Sequence, residues 1–487
     1  MSVQIKNKIF GGIVWTGLER FANQAAGFII GIVLARLLTP SDYGVIGIMN
    51  VFIGIAGLFI DCGLSTALIQ KKNRNDEDYS TVFWCNLFMS ILCYVIIFLF
   101  SPWISRYYQM PELRIMLRVL SLVMIFNSLY SIQSTKMTAE VNFRTQAKIS
   151  CTSCIFSGAF GIWMATLGLG PWALVLQSVF ATVYRTVCYW FISKWRPLLS
   201  FSKKSFLSLF SFSSKLFVSS LLDTVYNNIS PMIIGKRYSP ADLGIYTKGY
   251  NLVSLPNGVF QSTFGRVIFP ILSQIQDDEK RLKEVYRKYL RIVTSIVIPC
   301  MLIFAAVSSP LIQTIYGDKW ILCVPYIRLL SLGALTTPII CVNLNILYVK
   351  GRSDIILKLE IIKKLIAISI VVFSIHFSVL SLCIGIVFYS YIALFINLHA
   401  TGPFIGMTFW QQIKDVGIYY ISGIVSAIAA FSASWIYSRF VTNMSWLNHF
   451  TNLIVSCFTG AFLYLIFAFF FKFEIIDEIC DRLHLTK

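Results

Sequence analysis

Apolar runs of about twenty residues, each closed by a short polar break, recur along the whole chain. Twenty helical residues rise about 30 Å, the thickness of a bilayer's hydrocarbon core. The pattern therefore predicts an all-α integral membrane protein with about fourteen transmembrane helices. Their cores fall near 11–38, 43–69, 80–101, 115–136, 146–168, 172–193 and 206–234 in the first stretch. The remainder fall near 243–272, 290–312, 325–349, 355–375, 379–400, 416–437 and 451–472. The longest polar stretches, 194–205 and 273–289, are too short to fold as separate domains.

Composition agrees with that pattern: 57% of the 487 residues are hydrophobic and 13% are charged. The first apolar segment holds Glu19 and Arg20 and has no small-residue cleavage site, so it reads as a span and not a removable signal peptide. The formal net charge of +19 has a source other than nucleic-acid binding. Lys and Arg gather in every second loop, and the positive-inside rule then places both termini on the cytoplasmic side of the membrane. The twelve cysteines lie mostly within apolar segments and form no disulfide framework; Cys151 and Cys154 have no His or acidic neighbour to complete a metal site. No GxxxxGK[ST] phosphate loop is present, and no cofactor is expected.

The chain repeats itself. RLLTPSDYGV at 36–45 returns as KRYSPADLGI at 236–245, with Pro40, Asp42 and Gly44 matched by Pro240, Asp242 and Gly244. Ser101-Pro102 returns as Ser309-Pro310, the LRVLSL of 117–122 as the IRLLSL of 327–332, and Arg144 as Arg352. Six spans separate the copies. An even number means both copies cross the membrane in the same direction, which makes a parallel repeat. The expected organisation is a six-helix lobe over 1–200, a second over 201–405, and two extra helices with a cytoplasmic tail over 406–487. Thr39 and Ser239 are placed to cap helices whose first residue is proline, with the aspartate in the first turn.

Polar groups within the spans mark the functional candidates, because a charge in hydrocarbon costs at least about 2.5–3.5 kcal/mol. Span one carries Glu19, Arg20, Asn23 and Gln24; span two carries Asp61. Span seven carries Lys215, Asp223, Asn227, Asn228 and Pro231, and span eight carries Gln261 and Arg266 with Pro256 and Pro270. Arg20, Gln24, Lys215, Asn227, Asn228 and Arg266 are the candidates for lining a substrate cavity. Glu19, Asp61 and Asp223 are the candidates for a coupled cation. Trp15, Tyr226, Tyr246 and Tyr250 lie on the same spans and are candidates for stacking on a sugar. No catalytic or metal-ligating set emerges, and the outer loops are too short to house a polymerase or transferase site.

The phrases LARLLTPSDYG (34–44), DCGLSTALIQ (61–70), NFR (142–144), FPILSQIQDD (269–278), YGDKW (316–320), IRLLSL (327–332) and GR (351–352) run in order along nearly the whole chain. Together they resemble the Wzx-type polysaccharide flippases of the multidrug/oligosaccharidyl-lipid/polysaccharide superfamily, in the branch of colanic-acid and teichuronic-acid exporters. The resemblance implies twelve core helices in two lobes plus two more, and a secondary transporter instead of an enzyme. It implies a substrate of undecaprenyl-pyrophosphate carrying a short glycan, moved to the outer leaflet for surface polysaccharide such as O-antigen, capsule or exopolysaccharide. It also implies a cationic central cavity for the headgroup. Membrane lipids, and other membrane proteins of polysaccharide assembly, are the expected partners. A multidrug-type cation antiporter of the same superfamily and a membrane polymerase or transferase are the rival readings; three cationic candidates suit an organic cation poorly.

Overall fold

The computed structural model describes residues 22–71, 73–441 and 445–474, with the side chains of 212, 215, 216, 218, 219, 262, 263 and 265–267 excepted. Among the described residues the chain is helical and contains no strand. The described part of α1 is Ala22–Leu37. Then follow α2 (Pro40–Asp61), α3 (Leu64–Gln70), α4 (Asp76–Tyr108), α5 (Leu113–Ala139), α6 (Phe143–Thr166), α7 (Pro171–Ile192), α8 (Lys203–Arg237) and α9 (Pro240–Gln274). The rest is α10 (Glu279–Ala306), α11 (Ser308–Ile315), α12 (Cys323–Ala334), α13 (Thr337–Val349), α14 (Ser353–Ser374), α15 (Val379–Ile405), α16 (Phe409–Phe440) and α17 (Trp446–Phe470). Each expected span meets a helix or a broken pair of helices. Nine of the described spans are long and apolar enough to cross a membrane by length and composition alone.

By packing, the chain divides into two compact units, Met1–Gly244 and Ile245–Lys487. That partition differs from the partition by sequence repeat, because α8 packs on α2, α3 and α4 of the first unit. The linker between α7 and α8 is tied to α4 as well. The Leu198 amide donates to the Ser80 hydroxyl at 2.9 Å, the Ser202 amide to Thr81 at 3.1 Å, and the Trp84 indole to the Leu198 carbonyl at 2.7 Å. Beneath it lies a core of Leu64, Leu68, Phe83, Ile132 and Trp195.

The duplicated phrase does the same structural job twice. Thr39 caps α2: its hydroxyl accepts from the Asp42 amide at 3.4 Å, and the Asp42 carboxylate accepts from the Thr39 amide at 2.8 Å. Ser239 and Asp242 repeat this reciprocal cap at the start of α9, both bonds at 3.1 Å. The glycines have a separate cause. Residues 240–244 belong to the first unit, and there a Cβ on Gly44 would lie 1.7 Å from the Pro240 carbonyl oxygen. A Cβ on Gly244 would lie 1.9 Å from the Pro40 carbonyl oxygen. The two helix starts cross backbone to backbone, each proline carbonyl over the other copy's glycine, and only hydrogen fits between.

The repeat-related Arg118 and Arg328 make similar but not equivalent contacts in the two units. Arg118 donates through Nε to the Ser101 hydroxyl at 2.8 Å, with its guanidinium 3.9 Å from the Phe98 ring centre. Its counterpart Arg328 donates to the Ser308 hydroxyl at 3.3 Å and lies over Phe431 at 5.3 Å. Both arginines hold their charge against a hydroxyl and an aromatic face.

In the second unit a polar network docks the extra pair of helices. Arg287 and Arg291 of α10 both donate to Asp415 of α16 at 2.6 Å, and Arg291 also reaches Glu474, after α17, at 2.9 Å. Next to Arg287 the buried Tyr286 hydroxyl donates to the Gln412 Oε1 of α16 at 2.9 Å and lies 3.3 Å from the Asn343 Oδ1 of α13. Thr401 of α15 completes that group by donating to Asn343.

Candidate functional site

The first unit presents stripes of small and polar residues on spans that are otherwise apolar. On α2, Asn50, Gly54, Gly57 and Asp61 follow one another at spacings of four, three and four, which places them on one helical face. Asn50, Gly54 and Gly57 are exposed, and among the described residues no atom lies within 4 Å of where a Cβ on Gly57 would stand. On α1, Gln24, Gly27 and Gly31 follow at three and four; Gln24 is exposed, and no atom of the described residues lies within 4 Å of a Cβ on either glycine. On α8, Ser220, Asp223 and Asn227 are exposed at three and four.

One contact joins two of these stripes. The Asn228 amide nitrogen of α8 lies 3.9 Å from the position of a Cβ on Gly54 of α2, and it donates to the Thr224 carbonyl at 2.8 Å. The open face of α2 is therefore bordered by the amide of α8, next in sequence to Asn227.

Asp61 stands at a helix break. Cys62 and Gly63 both adopt left-handed backbone, with φ of 45° and 76°, so the expected continuous span 43–69 is divided into α2 and α3. The Asp61 carboxylate accepts from the Ser65 amide at 3.3 Å and from its hydroxyl at 2.5 Å, satisfying the first turn of α3. It sits at the end of a helix about 32 Å long and not midway along an unbroken one.

In the second unit the polar group of α9 lies beside a small cavity of about 10 Å³, bounded by Asn257 and Gln261 of α9, Tyr289 of α10 and Thr337 of α13. Asn257 donates to the Thr337 hydroxyl at 3.4 Å, and its side-chain amide oxygen is buried without a partner among the described residues, a position suited to a bound water. Tyr289 donates to the Phe264 carbonyl at 2.5 Å.

Of the remaining candidates, Glu19 and Arg20, with Trp15, lie outside the described residues. Lys215 falls on α8 and Arg266 on α9, and their side chains are among those excepted. Tyr246 is buried at 4% exposure with its ring 6.1 Å from Tyr250, so it belongs to the core and is not a surface for sugar; Tyr250 is exposed at 44%.

Sequence reasoning passed over two charged groups within spans. Arg185 of α7 donates to the Ser153 hydroxyl of α6 at 3.2 Å. Lys363 of α14 is buried and pairs with Glu360 at 2.5 Å. The i,i+3 spacing of Glu360 and Lys363 inside an apolar run was the signal for that pair.

The family profile described as polysaccharide biosynthesis protein matches residues 33–325, more than half of the chain. The chain belongs to this polysaccharide biosynthesis protein family. It is similar to the teichuronic acid biosynthesis protein TuaB of Bacillus subtilis, 24% identical over 356 residues, covering 72% of this chain and 73% of that one. It is also similar to the lipopolysaccharide biosynthesis protein WzxC of Escherichia coli K12, 25% identical over 374 residues, covering 76% of each. Among solved structures, the lipid II flippase MurJ in an inward closed conformation superposes with a TM-score of 0.73, covering 95% of this chain and 100% of that one at 15% identity. That likeness is one of fold, and it identifies this family member as a multi-pass membrane protein of transporter architecture.

Proposed function

We propose that this family member is a flippase that carries undecaprenyl-pyrophosphate-linked oligosaccharide from the cytoplasmic to the outer leaflet of the bacterial inner membrane. It acts as a secondary transporter by alternating access, and both termini face the cytoplasm. The observation that carries the reading is the open, glycine-lined polar face of α2, bordered by Asn228 and ending at Asp61, in a chain of this family.

The chemistry explains the need for such a face. Each unpaired hydroxyl moved into hydrocarbon costs roughly 4–8 kcal/mol on the cyclohexane scale, so a glycan of several sugars does not cross unaided. Asn and Gln offer both donors and acceptors to sugar hydroxyls, and glycine lets a bulky ring approach the helix backbone. The polyprenyl tail stays in lipid. The pyrophosphate pairs with cations, for which Arg20, Lys215 and Arg266 are proposed, with Gln24, Asn227 and Asn228 contacting the glycan. Glu19, Asp61 and Asp223 are proposed as the sites through which a cation resets the carrier.

The test is flux of a fluorescent polyprenyl-pyrophosphate oligosaccharide in proteoliposomes, with wild type beside Arg20→Ala and Arg266→Ala. Protein-dependent flipping that collapses in both variants supports substrate and site together. Flipping that survives both moves the site elsewhere. Movement of a soluble organic cation in place of the lipid overturns the reading.

A further inference from the structure

Among the described residues, Arg185 of α7 is a cation held at mid-depth without a counter-charge. It donates through Nε to the Ser153 hydroxyl of α6 at 3.2 Å. Ser153 is buried, and its hydroxyl in turn donates to the Ala181 carbonyl at 3.1 Å. That carbonyl lies one turn before Arg185 on the same helix. The side chain is therefore held at that level and not extended toward the nearer end of α7 at Ile192.

Ser153 fixes the depth. α6 is long and apolar enough to cross a membrane, and Ser153 lies ten residues from its first residue, Phe143, and thirteen from its last, Thr166. At about 1.5 Å per residue these are about 15 and 20 Å, so in a hydrocarbon core about 30 Å thick neither headgroup layer is close.

No carboxylate answers this charge. The packed helices α5, α6 and α7 contain no Asp or Glu, and neither does the described part of α1. α2 also touches α7, but its Asp42 is committed to Thr39 and its Asp61 to Ser65. Arg185 joins no ion pair among the described residues, and its two terminal nitrogens donate to no group there. Arg118, Arg287 and Arg291 are spent differently: the first gives a terminal nitrogen to the Phe98 carbonyl at 3.2 Å, and the other two both reach Asp415. Arg185 is also partly exposed. A guanidinium pinned at Nε presents its far edge, a fork of N–H groups that fits two oxygens of one phosphate.

We propose that Arg185 binds a phosphate group of the transported headgroup midway through its passage, with Ser153 as the residue that positions it. The identity of that anion, a polyprenyl-linked pyrophosphate, rests on the flippase reading. A lone charge this deep in hydrocarbon is costly, and the phosphates of resident lipids lie at the membrane surfaces. An anion that itself travels through the interior reaches mid-depth, where cargo and cation relieve each other's cost. An organic cation meets repulsion at the same point.

The test measures binding of undecaprenyl pyrophosphate to the full chain in nanodiscs, with uncharged undecaprenol as the control. Arg185→Gln is expected to weaken pyrophosphate binding about tenfold, the factor that one charge-assisted pair supplies, and to leave undecaprenol binding unchanged. Arg185→Lys keeps the charge without the fork, and Ser153→Ala keeps the charge without the pin. Each is expected to lose about threefold, again for pyrophosphate alone. Arg185→Lys decides by the same comparison if Arg185→Gln fails to fold. Wild-type affinity in both Arg185 variants, or equal losses for pyrophosphate and undecaprenol, overturns the proposal. So does a loss in Ser153→Ala as large as in Arg185→Gln, which would make the Arg185–Ser153 bond a packing contact. Native mass spectrometry separates a resident lipid from cargo: a phospholipid retained by wild type and lost from Arg185→Gln assigns the guanidinium to that lipid and overturns the proposal. Flux in proteoliposomes is scored separately. Wild type that binds the pyrophosphate but moves no lipid overturns the flippase reading, and with it the claim that the anion is cargo. Flipping that Arg185→Gln retains in full overturns this inference alone.

Discussion

Gly44 and Gly244 show how narrow the tolerance is at single positions. A methyl group on either overlaps a backbone carbonyl, not the end of a flexible side chain, so the helix starts must separate. Gly44→Ala is expected to lower stability by about 1–3 kcal/mol, the usual range for overpacking, and Gly244→Ala by a similar amount. Thermal unfolding in detergent checks this, and a melting temperature equal to wild type in either variant contradicts the crossing described. Asp61 calls for a different substitution. Asn at this position still offers an oxygen to the Ser65 amide and hydroxyl, so it keeps the cap on α3 and removes only the charge. Asp61→Asn is expected to melt like wild type and, if the carboxylate is a cation site, to make flux indifferent to the ion gradient that drives wild type. Unaltered gradient dependence limits Asp61 to its structural bond.

The same division between local and global causes governs the elements. The spans themselves were legible, because hydrophobic length alone sets them, and so were the capped starts of α2 and α9, where Thr39 and Ser239 accept from the Asp42 and Asp242 amides. The breaks were not. Residues 43–69 read as one span because Asp-Cys-Gly sits within an apolar run, and only the left-handed backbone at Cys62 and Gly63 reveals the division. Residues 325–349 likewise divide into α12 and α13 ahead of Pro338. The candidate site was legible in its polar residues and not in its glycines, whose value lies in what fails to cover them. The docking of α16 and α17 was equally hidden, since Arg287, Arg291, Asp415 and Glu474 lie far apart in sequence. Asp415 is nearly buried and faces both arginines, so Asp415→Ala leaves two like charges side by side. The expected loss is about 2–3 kcal/mol, below the range for a fully buried pair because both arginines are partly solvated. Limited proteolysis of the connection to α16 reports it; Asp415→Ala and wild type cut at the same rate would mean that the network does not hold the helix.

For the whole molecule the energetics of the proposed cargo make one further demand. A pyrophosphate diester carries about two negative charges, and a negative-inside potential favours its exit by about 2.3 kcal/mol per charge per 100 mV. Two uncompensated charges at 100 mV amount to about 4.6 kcal/mol, a bias of roughly 2,000-fold toward the outer leaflet. If cations cross with the pyrophosphate on the same stroke, the charge is cancelled and the bias disappears. If they instead cross on the return of the empty carrier, the leaflet bias of the lipid depends on both gradients. Proteoliposomes with a potassium diffusion potential separate these cases, with the steady-state leaflet distribution of a labelled polyprenyl-pyrophosphate glycan as the readout. The expected outcome is accumulation in the leaflet on the positive side, reversing when the potential is reversed and surviving in Asp61→Asn if the step is uniport. A distribution that ignores the potential in wild type but follows it in Asp61→Asn or Asp223→Asn would instead show compensating cations carried at those positions. A distribution that ignores it in every variant would place the compensation on other groups, leaving α2 and α8 to bind the glycan alone.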